Sequence, residues 1–143
     1  MRFRKTLSMV LVTGAATATL SLIGAPGAWA SGRAGGPAVT NSGHGTLGSP
    51  WKLKSMHDDL NGKQIVGEEF EITPVNGVGQ TWTITFADNG LVFFTGTQVA
   101  TTTGIREVQS TANQPGTQHM TAHAVNQTTG EVVDGAVDLP PLA

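Results

Sequence analysis

His119 and His123 are the two side chains whose spacing most resembles a metal-binding motif. On a helix, an i, i+4 spacing lets two imidazoles bind one zinc ion. On a strand, the same spacing separates the two Cα atoms by about 13 Å, too far for one metal ion. The stretch HMTAH alternates apolar and polar residues as a strand does. We therefore predict no metal site and no cofactor, and we expect both histidines to face solvent.

The stretch HDDLNG (His57 to Gly62) places two carboxylates beside a histidine. A calcium-binding loop spaces its acidic residues at every second position, whereas Asp58 and Asp59 are adjacent. Asp and Asn side chains also shape turns by bonding their own backbone. The stretch therefore predicts a turn between two strands.

Residues for covalent or acid–base catalysis are hard to find in this chain. There is no cysteine and no G-x-S-x-G motif, and no serine has a histidine or acid at a known motif spacing. Most of the ten acidic residues fall in turns or at outward strand positions, where water keeps carboxyl pKa values ordinary. We predict that the protein is not an enzyme.

Residues 1–30 have the three parts of a signal peptide. A basic start is followed by an apolar stretch from Leu7 to about Ile23 and by the small-x-small sequence Ala28-Trp29-Ala30. The absence of cysteine excludes a lipid-modified N-terminus and any disulfide. We predict a secreted, extracellular protein, and leave open a loose attachment to the cell wall.

Signal cleavage would change the charge, because three of the eight basic residues lie in residues 1–30. Five basic residues would remain against ten acidic ones, a net charge of −5. This balance disfavours nucleic acid and anionic membrane surfaces as partners. Residues 31–46 are rich in glycine and predict a flexible leader, which makes 47–143 the folded domain.

The rest of the chain consists of short strand-like runs separated by turn signals. The cleanest alternation puts Trp82, Ile84 and Phe86 on one side and threonines on the other. Glu68 interrupts an apolar row, and we expect it near the solvent end of its strand. Seven strands are predicted, at 51–57, 64–72, 80–87, 91–96, 104–112, 117–126 and 131–139.

Asn89-Gly90 predicts a two-residue hairpin loop, because both central positions of a type I′ turn need positive φ. A regular ladder from this turn pairs Phe86 with Phe93, which places Phe93 in the core. The same ladder puts Val92 and Phe94 on the outer side with the threonines. Alternatively, the strand changes sheets and Phe94 is buried by the segment 97–104.

Several of these runs resemble strands of an immunoglobulin-like domain. VGEEFEI, the strand with Trp82, PGTQHMTAHAVN and the last strand are similar to strands B, C, F and G of that family. Gln118 replaces the usual corner tyrosine, so the chain is most similar to disulfide-free domains of small secreted actinobacterial proteins of unassigned function. The resemblance implies an all-β, seven-stranded, immunoglobulin-like two-sheet sandwich with Greek-key connections. The F-strand pattern is matched by Gly116, Thr117, Met120, Ala122, Ala124 and Asn126.

This arrangement predicts one outer sheet face that is low in charge and rich in threonine. We expect a non-catalytic module that uses this face to bind an extracellular protein, a cell-wall component or its own copy. The alternative is a carrier of an apolar small molecule, resembling the neocarzinostatin-type sandwiches, with a pocket between Phe94 and the segment 97–104. The sequence predicts neither the partner nor the oligomeric state. The candidate binding residues are Thr83, Thr85, Val92, Phe94, His119, Thr121 and His123.

Overall fold

A computed structural model describes residues 36–75 and 77–143 of the 143-residue chain. Within these ranges the chain forms strands and turns, and no helix long and apolar enough to cross a membrane is found among them. The predicted signal peptide, residues 1–30, lies outside the described residues. The strands are β1 (Val39–His44), β2 (Pro50–Leu60), β3 (Lys63–Ile72), β4 (Thr81–Asp88), β5 (Leu91–Val99), β6 (Ile105–Ala112), β7 (Gln118–Asn126) and β8 (Val132–Leu139).

The strands form two four-stranded antiparallel sheets that pack as a sandwich. Sheet 1 has the order β1-β2-β3-β6 and sheet 2 the order β5-β4-β7-β8. The chain crosses between the sheets after β3, after β5 and after β6. The all-β two-sheet prediction is confirmed, with eight described strands where seven were predicted.

The additional strand is β1, which lies within the segment predicted as a flexible leader. β1 pairs antiparallel with β2, from Val39 opposite Ser55 to His44 opposite Pro50. The side chains of β1 are mostly exposed, so its sequence lacks the apolar alternation from which a strand is predicted. Backbone pairing to β2 and a bond from Asn41 Nδ2 to the Ala136 carbonyl (3.0 Å) hold it in place.

The core lies between the sheets and follows the predicted alternation on β4. Trp82, Ile84 and Phe86 are fully buried. Phe86 meets Phe70 of sheet 1 in an edge-to-face contact, with ring centroids 6.3 Å apart. Such aromatic pairs add stability beyond the area they bury.

The β4–β5 hairpin has the predicted turn but a different register beyond it. Asn89 and Gly90 have φ of 48° and 82°, and Ala87 faces Val92 as predicted. A β-bulge follows, so Phe86 pairs with Phe94 instead of Phe93.

Phe93 and Phe94 therefore both pack against Phe86, with ring centroids 6.0 and 5.6 Å away, because two bulge residues oppose one partner residue. The prediction that Phe94 lies on the outer face is wrong. Gly96 makes room for its ring, since a Cβ atom there would come within 2.6 Å of Phe94 Cζ.

Candidate functional site

The outer face of sheet 2 carries a ladder of threonines on β4 and β5. The register places Thr83 opposite Thr97 and Thr85 opposite Thr95. The Oγ1 atoms of Thr85 and Thr95 lie 3.2 Å apart and share a hydrogen bond. The bulge produces this ladder, because it places Phe94 rather than Phe93 opposite Phe86, so that Thr95 and Thr97 face outward.

The other half of the face carries two histidine–aspartate pairs between β7 and β8. His119 Nδ1 lies 2.6 Å from Asp138 Oδ1, and His123 Nδ1 lies 2.6 Å from Asp134 Oδ1. An ionised carboxylate only accepts hydrogen bonds, so Nδ1 carries the proton in each pair. Each ring is held by its aspartate, and Nε2 is the atom through which it can bond a partner.

One row of side chains crosses all four strands of sheet 2. Thr95 faces Thr85, Thr85 faces His123, and His123 faces Asp134. A hydroxyl beside a histidine–aspartate pair can act as a nucleophile when the imidazole takes its proton. Here Thr85 Oγ1 bonds Thr95 Oγ1, and His123 and Asp134 are both exposed. The row therefore presents hydroxyl, imidazole and carboxylate groups that can form hydrogen bonds at the surface.

The outer face of sheet 2 differs from sheet 1 in charge. The four basic side chains in the described ranges all belong to sheet 1 and its hairpin: Lys52, Lys54, Lys63 and Arg106. On sheet 1, Arg106 Nε lies 2.9 Å from Glu69 Oε1 in an ion pair. The charged carboxylates on the outer face of sheet 2, those of Asp134 and Asp138, are paired with histidines.

Six of the seven predicted site residues share this outer face, and Phe94 does not. The six lie on three strands and are at least partly exposed: Thr83, Thr85, Val92, His119, Thr121 and His123. Sequence reasoning missed Thr95 because the bulge reverses its side, and it missed Thr97 because the predicted strand ended at residue 96. It also missed Asp134 and Asp138, although the i, i+4 spacing that they share with the histidines was visible in the sequence.

A second group of polar residues lies buried between the sheets. Glu68 on β3 and Asp88 on β4 are both buried, and Asp88 accepts a hydrogen bond from Gln118 Nε2 at 2.5 Å. Burial, followed by the negative charge of Asp88, raises the pKa of Glu68 to about 9. Neither carboxyl oxygen of Glu68 has a bonding partner among the described residues. The expectation that Glu68 lies at a solvent end is wrong.

Ser55 and His57 extend this buried group along β2. Ser55 lies opposite Glu68 in the register, and its buried hydroxyl has no partner among the described residues. His57 Nε2 lies 2.7 Å from the Pro140 carbonyl, which can only accept, so Nε2 carries the proton. Ser55 and Glu68 are fully buried, whereas His57 forms part of the wall of a cavity at the end of the sandwich. The described ranges contain no cluster of three or more acids or histidines able to hold a metal ion.

An apolar cavity of about 340 Å³ lies at the end of the sandwich near His57. This volume is in the range of small-molecule sites. The pocket predicted for a carrier was beside Phe94, whose ring instead packs on Phe86 and Gly96. The cavity is lined by Gly36, Pro37, Val39, His57, Leu139, Pro140, Pro141, Leu142 and Ala143.

Comparison with known proteins found no matching family model, no matching curated protein and no matching solved structure. Function must therefore be inferred from the chain's own geometry.

Proposed function

We propose that this protein is a secreted, non-catalytic, immunoglobulin-like module that binds an extracellular protein or a cell-wall component. The strand order supports the immunoglobulin-like assignment: β2-β3-β6 packs against β5-β4-β7-β8, as strands A-B-E pack against C′-C-F-G in that family. The composition of residues 1–30 supports secretion.

The observation that carries the proposal is the outer face of sheet 2. Threonine hydroxyls, valines and two aspartate-held imidazoles cover four neighbouring strands, and none of the described basic side chains lies there. Surfaces of low charge lose little hydration energy on contact, and low charge is typical of interface centres. Hydroxyl and Nε2 groups then supply directional hydrogen bonds to the partner.

The test places a bulky cation in the middle of this face. Thr85→Arg should reduce capture of the partner from culture fluid and cell surfaces at least tenfold, about 1.4 kcal/mol of binding free energy. The matched control is Ser110→Arg, which adds the same side chain on β6, on the outer face of sheet 1. Equal capture by the two variants, both folded, would overturn the proposal.

A second candidate function is the carrying of an apolar small molecule, which the cavity near His57 favours. Leu142→Trp would fill this cavity and should abolish uptake of an apolar fluorescent dye. Leu47→Trp adds an indole at an exposed position outside the cavity and should leave uptake unchanged. If the wild-type protein takes up no dye, the carrier function is excluded.

A further inference from the structure

β5 forms one lateral edge of sheet 2, and its backbone shows which groups face outward. Just after β5, the Ala100 N–H bonds the Gln80 carbonyl across to β4 at 2.8 Å. Alternate residues of an antiparallel strand bond the same neighbour, so Gly96 and Gln98 also point at β4. The N–H and C=O groups of Thr95, Thr97 and Val99 therefore point away from β4. Within residues 36–75 and 77–143, β5 pairs with β4 and with no other strand, and no turn, loop or side-chain bond there reaches these backbone groups.

The opposite edge of the same sheet, β8, is covered. The Val132 carbonyl accepts from the Thr46 N–H, and the Val132 N–H donates to Thr46 Oγ1, both at 2.9 Å. The Ala136 carbonyl accepts from Asn41 Nδ2. β1 and the segment after it thus satisfy outward groups of β8, whereas β5 has no such cover within the described chain.

The sequence of β5 also lacks the usual protection of an edge strand. Natural proteins place lysine, proline or inward-pointing charges on exposed edges to prevent pairing with other chains. Leu91–Val99 contains no charged residue and no proline. A side-chain link from Gln98 Nε2 to the Arg106 carbonyl (3.2 Å) joins β5 to β6 but leaves the backbone edge open.

We propose that β5 pairs antiparallel with β5 of a second copy of this chain. In one register, the outward N–H and C=O groups of Thr95, Thr97 and Val99 all bond the second copy. The two-fold axis of this register passes through Thr97. Thr97 then faces Thr97 of the second copy, and Thr95 faces its Val99. Each of these residue pairs exchanges two N–H···O bonds.

The edge is complementary to itself, which is why the partner is a second copy. The side chains that meet on the outer face are all β-branched, and such cross-strand pairs stabilise a sheet. On the inner face, Gln98 of one copy lies opposite Gly96 of the other, where the Phe94 ring occupies the place of a Cβ atom. The pairing ends at the bulge at Phe93. The dimer joins the two copies of sheet 2 into one sheet of eight strands, and their outer faces become one continuous surface.

Hydrogen exchange on the unmodified protein tests the pairing without any substitution. The amides of Thr95, Thr97 and Val99 should exchange slowly at high protein concentration and fast at low concentration. The amides of Gly96 and Gln98 already bond β4 and should be protected at every concentration. Exchange of the three edge amides that does not depend on concentration would overturn the proposal.

Sedimentation of matched variants tests the register. Thr97→Lys places two like charges at the two-fold axis and should raise the dimer dissociation constant at least tenfold. Thr83→Lys puts the same side chain on the same face, one strand away from the edge, and should leave that constant unchanged. A wild-type monomer at all concentrations, or equal effects of the two variants, would overturn the proposal. Thr83→Lys should still weaken capture of the external partner, which separates dimerisation from the proposed binding function.

Discussion

Glu68 and Asp88 approach each other across the interior of the sandwich, one from each sheet. Burial and the charge of Asp88 raise the pKa of Glu68 to about 9, so Glu68 is neutral at physiological pH. Asp88 keeps a hydrogen bond from Gln118. Two buried carboxyl groups near one another cannot both ionise without a large cost, and the proton on Glu68 relieves that repulsion.

The first prediction concerns the pH dependence of stability. The pKa of Glu68 is about 9 in the folded protein and 4.5 when unperturbed. Between these values the unfolded chain binds fewer protons than the folded one, so folding stability falls as pH rises. The slope from this group reaches about 1.4 kcal/mol per pH unit. Urea unfolding at a series of pH values should show stability falling from about pH 5 toward pH 9.

Glu68→Gln keeps the shape of the neutral acid but has no proton to lose, so its stability profile should be flatter. Glu69→Gln is the matched control on the outer side of the same strand. Partial burial would raise the pKa of Glu69, but its hydrogen bond and ion pair with Arg106 hold that pKa below the ordinary value. The stability from Glu69 is therefore lost only at acid pH, below the unperturbed value of 4.5. Identical alkaline profiles for wild type and Glu68→Gln would contradict the assignment.

The sequence was informative about the fold wherever local pattern and tertiary structure agreed. Trp82, Ile84 and Phe86 alternate with threonines, and Asn89-Gly90 specifies its turn by backbone sterics. The bulge could not be predicted, because Phe93 and Phe94 are equally hydrophobic and either can occupy the inner position. The burial of Glu68 could not be predicted either. Alternation indicates which side of the strand Glu68 faces, but it does not indicate how deeply the side chain is buried.

The candidate face was predictable on β4 and β7, where no irregularity intervenes. Thr83, Thr85 and His123 lie where simple alternation places them. Beyond the bulge, the residues of β5 that were expected to face outward face inward and the reverse. Thr95 therefore lies on the outer face, where Phe94 was predicted. The one extra residue of the bulge is enough to exchange the inner and outer faces of β5 relative to the prediction.

The second prediction tests the packing of Phe94. Gly96→Ala would put a Cβ atom within 2.6 Å of Phe94 Cζ, so the ring must move off Gly96. We expect a loss of about 1–3 kcal/mol in the free energy of unfolding, as for other overpacked sites. Thr95→Ala, on the outer side of the same strand, should change it by less than about 0.5 kcal/mol. Equal stabilities for the two variants in urea would show that Phe94 does not depend on Gly96.

The third prediction concerns Glu131, which is buried where β8 begins. Its Oε1 accepts from the Ser49 N–H at 2.8 Å, and its Oε2 accepts from Ser49 Oγ at 2.6 Å. Glu131→Ala leaves buried donors without partners, at a cost of about 1–3 kcal/mol for each. Asp134→Ala removes an exposed carboxylate from the same strand and should cost at most about 1 kcal/mol in total. A thermal unfolding midpoint equal to that of the wild type would contradict this role for Glu131.

The fourth prediction separates binding from stability at the pair of His123 and Asp134. The side chains of His123 and Asp134 are 51% and 73% exposed, so the pair contributes at most about 1 kcal/mol to folding. Asp134→Asn should therefore leave urea unfolding nearly unchanged. It should still weaken partner capture, because the ring loses the carboxylate that orients it. Unchanged capture would remove the histidine–aspartate pairs from the proposed contact.

The bond between Asn41 and Ala136 has a consequence for how the chain reaches its native state. The two residues are 95 positions apart, and their strands meet only after that length of polypeptide has closed into a loop. Loop closure of this kind is slow compared with local hairpin formation. During synthesis, β1 would therefore lack its bond to the Ala136 carbonyl until β8 has been synthesised. This edge of the sandwich is therefore completed only by β8, the last of the eight described strands.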